Sequence, residues 1–186
     1  LESGMRGNSP VPFGKGPSEK DPSHGHLADG LLHSSGSYFP DPVRSVDIPK
    51  PGGDVRTLGV PTIADRVAQT VAAKRLEAAA EPLFFEDSFG FRPGRGAHDA
   101  LRTCRERCWQ RRWVVDVDIA KFFDEVDWDL LIRAVQALDV PSWVVLYVRR
   151  WLAADAVARD GAIRSRNRGT PQGGPVSPVL ANLFLH

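Results

Sequence analysis

The stretch that most constrains this chain is Trp113–Asp127, WVVDVDIAKFFDEVD. Aromatic and β-branched residues suit a pleated, half-buried surface, so Trp113-Val114-Val115 reads as a buried strand. Side chains alternate along a strand. Asp116 and Asp118 therefore point to one side, and Val115 and Val117 to the other. A carboxylate at the end of a buried strand needs a balancing partner, and a divalent cation is one such partner. The other reading leaves both aspartates solvated where the strand ends. Asp127 stands where an N-cap belongs, ahead of a helix over Trp128–Leu138.

Composition matters here mainly through its distribution. The 186 residues carry a net charge of +1, which by itself points to no partner. Arginine far outnumbers lysine, and Arg92, Arg95, Arg102, Arg105, Arg107, Arg111 and Arg112 crowd one segment. Arginine suits bidentate phosphate contact, while a solvated helix face explains the same cluster. Cys104 and Cys108 lie one helical turn apart. Two cysteines make no disulfide framework and no zinc site, so free thiols are expected. No apolar run approaches a membrane span, and no signal-peptide pattern is present, which places the chain in the cytoplasm. Beginning at Leu1 and stopping at His186 within an apolar helical pattern, it reads as a fragment.

Residues 1–33 are rich in Gly, Pro, Ser and His and read as a disordered or non-native leader. His24 and His26 are a weak compositional hint of metal binding. Order begins near Tyr38. Val43–Ile48 and Val55–Val60 flank a Pro-Gly turn and form a hairpin that carries Lys50 and Arg56 at its tip or rim. Thr62 and Asp65 resemble a capping box for a helix to about Ala80, with Ile63, Val67 and Val71 as its core line. The loop Phe84–Gly96, FFEDSFGFRPGRG, holds four phenylalanines, two arginines and three glycines. It either engages phosphates and bases or plugs the core with its rings. A helix over Ala97–Arg111 follows. Pro141 suits the first turn of a further helix through Trp143, Leu146, Tyr147 and Trp151. Asp160-Gly161 marks a hairpin made basic by Arg159, Arg164, Arg166 and Arg168. A Thr170–Pro175 loop then feeds a helix with Ser177 as cap and Pro178 at its first position, and such a junction presents N–H groups to an anion.

Four segments, taken in order, resemble the reverse transcriptase domain of group II intron-encoded proteins. They are YFPDPVRSVDIPKPGGDVRTLGVPTIADRVAQ, SFGFRPGRGAHDA, VVDVDIAKFFDEVDWDLL and GTPQGGPVSPVLANLFLH. Retron-type reverse transcriptases are more distant relatives. The likeness spans 34–186 and none of residues 1–33. It implies an α+β fold, the fingers and partial palm of a right-hand polymerase, with an incomplete antiparallel palm sheet packed on helices. It implies an RNA-directed DNA polymerase that transfers nucleotides to a primer 3′-hydroxyl with two Mg²⁺ ions. Its partners would be RNA template and primer, intron RNA and deoxynucleoside triphosphates.

By this resemblance Asp118 is the catalytic metal ligand, helped by the backbone carbonyl of Ile119, and Asp116 becomes a solvated or structural carboxylate. Phe123 packs under the incoming sugar and excludes a 2′-hydroxyl. Gln172 and Gly173 cover the incoming nucleotide. Lys50 and Arg56 contact its triphosphate, and Phe91, Arg92 and Arg95 fall near the template. One departure is decisive. The Tyr-Ala-Asp-Asp-type hairpin that supplies the family's second metal-binding aspartate occurs nowhere in residues 1–186. The thumb, the maturase region and an endonuclease domain are absent from these residues too. The expectation is an inactive chain on its own, with an uncovered apolar face at Leu180–Leu185 and marginal stability. Two other readings remain. One is a non-catalytic RNA-binding module that aids intron splicing. The other is a metal-dependent hydrolase using Asp116 and Asp118, which would need a third ligand.

Overall fold

The computed structural model describes residues 36–186. The expectations for residues 1–33, including His24 and His26, lie outside the described residues. The first two strands form the expected hairpin, β1 (Val43–Pro49) and β2 (Val55–Val60), paired antiparallel from Arg44↔Val60 to Pro49↔Val55. The second hairpin forms too, as β3 (Ala156–Val157) and β4 (Ile163–Arg164) around Asp160-Gly161. β3 runs parallel to β1, which joins the hairpins into one sheet of order β2-β1-β3-β4.

Six helices accompany this sheet among the described residues. They are α1 (Ile63–Ala80), α2 (Ala97–Gln110), the single turn α3 (Phe122–Glu125), α4 (Trp128–Ala137), α5 (Ser142–Ala153) and α6 (Ser177–Leu185). Caps set several ends. Thr62 Oγ1 accepts from Asp65 N at 3.2 Å, and Asp127 Oδ1 accepts from Leu130 N at 2.8 Å. The core lies where α4, α5, α6 and α1 meet, around Leu76, Leu131, Val135, Val144, Tyr147 and Leu180. No helix among the described residues is long and apolar enough to cross a membrane.

Three expectations are corrected by packing. Of the core line expected for α1, Val71 packs against the core, but Ile63 and Val67 are exposed. The buried stripe is Asp65, Ala68, Gln69, Ala72, Ala73, Leu76 and Ala80. Alanines permit a close helix approach, so the small face turns inward and the β-branched one outward. Asp65 is tolerated there because Tyr38 and Thr62 donate to its two carboxylate oxygens. Burial, with Asp65 beside it, pushes the Tyr38 hydroxyl well above the usual tyrosine range, so Tyr38 stays a donor. Next, Leu180 and Leu183 of α6 are buried against α4 and α1, and only Leu185 at the far end is strongly exposed. The face expected to be uncovered is largely covered. Finally, Ser177 is not the cap of α6. Val176 takes that place, and the Ser177 hydroxyl turns back, donating to Pro171 O at 2.7 Å and accepting from Thr170 Oγ1 at 2.8 Å.

The largest correction concerns the opening stretch. Residues 113–119 form no strand, and every one of them is exposed, Trp113 by 88% and Val115 by 83%. A strand exists only by pairing its N–H and C=O groups with a neighbour. Among the described residues no strand runs beside this segment.

Candidate active site

The firm part of the site begins just after that segment. Lys121 takes a left-handed conformation (φ 52°) and turns the chain into α3, which carries Phe123 and Asp124. α3 is clamped to the chain entering the Pro171-Gln172-Gly173-Gly174 loop. Thr170 N donates to Phe123 O at 2.7 Å, and Gly169 N to Val126 O at 2.8 Å. Trp128 Nε1 closes the clamp, donating to Gly169 O at 2.6 Å. Only glycine fits at 169: φ is +75°, and a Cβ there would fall 2.6 Å from Asp124 O.

The same loop is tied to the β1–β2 hairpin. Gly59 N donates to Gln172 O at 2.9 Å, and Arg56 Nε donates to Gln172 Oε1 at 2.7 Å. The Gln172 amide then reaches toward Asp124, with Nε2 3.4 Å from Oδ1. Both ends of this carboxamide are thereby oriented from opposite sides of an open cleft. Its volume is about 910 Å³, and its wall includes Lys50, Arg56, Asp118, Ile119, Phe123, Asp124 and Gln172. Side chains separated by up to 122 positions therefore converge on one cavity large enough for a nucleotide-sized ligand.

Gly173 does not line the cleft. Its φ of +130° and the Gly59 carbonyl, 3.0 Å from where a Cβ would sit, make it a backbone joint of the loop. Asp124 is the residue the sequence reading passed over. An acidic side chain directly after the ring expected under the sugar was the available signal. The donors do not make a metal centre by themselves. Among the described residues no group of three or more His, Cys, Asp or Glu side chains can share an ion. The two-ion arrangement therefore does not fit the residues present, and no third ligand stands beside Asp116 and Asp118 for a hydrolase.

Phe91, Arg92 and Arg95 lie away from the cleft. Arg92 is corrected outright: its side chain is 3% exposed and fully engaged. It pairs with Glu81 at 2.7 Å and donates to Phe85 O at 2.6 Å and Ser88 O at 2.7 Å. Hence it staples the loop and has no free face for a strand. The hydrogen bond from Arg92 holds the Glu81 carboxyl below the usual glutamate range, with burial opposing and the charges of Arg92 and Arg95 assisting. Arg95 donates to Glu86 O and lies 5.6 Å from the Phe89 ring centre, and Phe91 is exposed with φ 53°. A different basic surface appears on the sheet. Arg44, Arg159 and Arg164 line one groove of about 670 Å³ in which Asp47 is the only acid among the described residues. Arg44 was not singled out in the sequence, because only the parallel β1–β3 pairing brings it to the second hairpin.

α2 buries none of its residues. Cys104 and Cys108 are free thiols with Sγ atoms 3.9 Å apart, and the hydrogen bond with Cys104 pushes the Cys108 thiol up.

The model of the reverse transcriptase (RNA-dependent DNA polymerase) family matches residues 48–186, and the chain belongs to that family. Its fold is accordingly fingers and part of a palm. Protein YkfC of Escherichia coli K12 is 36% identical over 165 residues, 86% of this chain and 42% of that protein. The group II intron-encoded protein LtrA of Lactococcus lactis subsp. cremoris is 36% identical over 152 residues, 81% of this chain and 25% of that protein. The chain thus spans less than half the length of these relatives. A solved structure, "Partial Cas6-RT-Cas1--Cas2 complex", superposes with a TM-score of 0.49 over 89% of this chain and 32% of that one, at 24% identity.

Proposed function

We propose that this chain is the nucleotide-selecting part of a group II intron-type RNA-directed DNA polymerase. The observation that carries the reading is the convergence of Lys50, Arg56, Asp118, Phe123 and Gln172, from three separate motifs, on one cleft. Lys50 and the free guanidinium nitrogens of Arg56 meet the triphosphate charge, which Arg binds in a planar fork. The half-buried Phe123 ring, packed edge-on against Phe122 at 5.6 Å, sits under the sugar and leaves no room for a 2′-hydroxyl. Gln172, held by Arg56, closes over base and sugar. Asp118 contributes one carboxylate toward Mg²⁺ with the Ile119 carbonyl. Mg²⁺ would supply charge neutralisation at the reacting phosphate, and the carboxylates it needs exceed what these residues provide. The chain alone is therefore inactive. The template crosses the Arg44–Arg159–Arg164 groove, and not the loop stapled by Arg92.

Two measurements test this. In the first, deoxynucleoside triphosphate titrated into the chain shifts NMR signals of Arg56, Phe123 and Gln172, and the ribonucleotide binds several-fold more weakly. Phe123→Ala removes that preference. Equal binding of both sugars by the native chain overturns the reading. In the second, primer extension on an RNA template yields no product. Mg²⁺-dependent product that disappears in Asp118→Ala overturns the inactivity.

A second reading is favoured by the arginine groove itself: an RNA-binding, maturase-like module that does no chemistry. Its RNA affinity would fall steeply with salt, and nucleotides would leave the cleft signals unmoved.

A further inference from the structure

One buried polar group has no role in the cleft as described so far. Gln69 lies on the inward face of α1, 2% exposed, and its Oε1 has no hydrogen-bond partner. Buried acceptors are almost always paired, so an orphan asks for a reason. Its neighbour is the cleft loop. A Cβ built on Gly174 would fall 2.6 Å from Gln69 Oε1 and 3.5 Å from its Cδ. The carboxamide thus abuts the Gly174 backbone and leaves space for glycine alone.

The loop is anchored on both sides of that contact. Gln172 O accepts from Gly59 N at 2.9 Å, and Gly174 O accepts from Ser177 N at 3.2 Å. Between these anchors, the N–H groups of Gly173 and Gly174 donate to no acceptor among the described residues. An unpaired acceptor and unpaired donors therefore face a joint built from two glycines, which can reorient at small steric cost. We infer that Gln69 is a positioning residue for Gln172, its Oε1 accepting the Gly174 N–H when a nucleotide fills the cleft. That bond fixes the height of Gln172 above Phe123. The inference rests on the reading of the cleft as a deoxynucleotide site. Arg56 orients the Gln172 side chain, and Gln69 sets the backbone that carries it.

The test uses the ¹⁵N-labelled chain with Mg²⁺ and a deoxynucleoside triphosphate. On saturation the Gly174 N–H signal should move downfield and exchange with solvent at least about tenfold more slowly, as a newly bonded amide does. Gln69→Met keeps the volume and removes the acceptor. It should abolish the protection and weaken nucleotide binding about fivefold, the worth of one hydrogen bond. Its melting midpoint should hold or rise, because an orphan acceptor is gone, and a purely structural role would lower it. Gln69→Glu keeps an acceptor and should retain the protection. Gly174→Ala should mimic Gln69→Met by pushing the amide aside. The inference is overturned if Gly174 stays unprotected with nucleotide bound, or if Gln69→Met binds as the native chain does. Nucleotide that leaves Arg56, Phe123 and Gln172 unmoved overturns the deoxynucleotide reading as well, a pattern distinct from either.

Discussion

Asp118 and Phe123 are five positions apart and stand on different ground. Phe123 rides on α3, its own carbonyl accepts from Thr170 and that of Val126 just past the helix from Gly169, and Trp128 closes the clamp from outside. Asp118 rides on a segment with no neighbouring strand and with Trp113, Val115 and Val117 all turned to solvent. The difference is one of preorganisation. The wall that carries Phe123 and Gln172 is fixed within these residues by short hydrogen bonds between distant segments. The wall that would hold a metal is not, since a lone extended segment has only its own backbone preferences to define it. The wall that carries Phe123 and Gln172 is thus preorganised further than the segment that carries Asp118.

Breaking the clamp should produce the largest effect. Gly169→Ala forces a Cβ to 2.6 Å from Asp124 O at a residue with φ of +75°. A left-handed alanine and an overpacked contact together should cost about 2–5 kcal/mol. Urea unfolding of native and variant chains measures this directly. A loss below about 1 kcal/mol, the scale of an ordinary surface substitution or slightly more, would remove the contrast between the two walls.

The Arg92 staple tests whether the loop before α2 is structural. Arg92→Ala strips donors from Phe85 O and Ser88 O and leaves Glu81 unpaired, an expected loss of about 2–3 kcal/mol. The pH dependence carries a sign. Glu81 titrates below its ordinary value, chiefly through its hydrogen bond from Arg92. Stability from a lowered carboxylate is present above its unfolded value and is lost as pH falls through the folded one. The gap between native and variant chains should therefore narrow in acid, below the ordinary glutamate range. A gap that stays constant down to strong acid would place the contribution of Arg92 in its bonds to Phe85 O and Ser88 O alone, and no gap at any pH would return it to the candidates for a nucleic-acid contact.

Much of this was legible in the sequence because local chemistry decided it. The Pro-Gly turn, the Thr62 and Asp127 caps and Asp160-Gly161 each act within a few residues, and each formed as read. Misreadings arose where a distant neighbour decided. Periodicity alone could not tell that α1 would bury its alanines and expose Ile63 and Val67, because both stripes recur at helical spacing. An arginine in a glycine-rich loop looks like a phosphate ligand until Glu81, eleven residues back, claims it. Trp113–Val117 has a strand's composition, yet composition cannot supply the strand beside it. Asp124 was not legible because Gln172, which marks it as part of the cleft wall, lies far along the chain.

The smallest expected effect is at the other wall, and it is the most informative about Asp118. Asp118→Asn removes one exposed carboxylate that makes no hydrogen bond or ion pair among the described residues. Its stability change should lie within about 0.5 kcal/mol, as for surface sites without such partners. Hydrogen exchange sharpens the point. Amides of 114–119 should exchange near the rate of an open chain, while those of Gly169 and Thr170, which donate in the clamp, should be protected by orders of magnitude. Slow exchange at 114–119 would mean that the segment is paired in solution. Asp118 would then stand on ground as firm as Phe123, and the unequal walls would be equal.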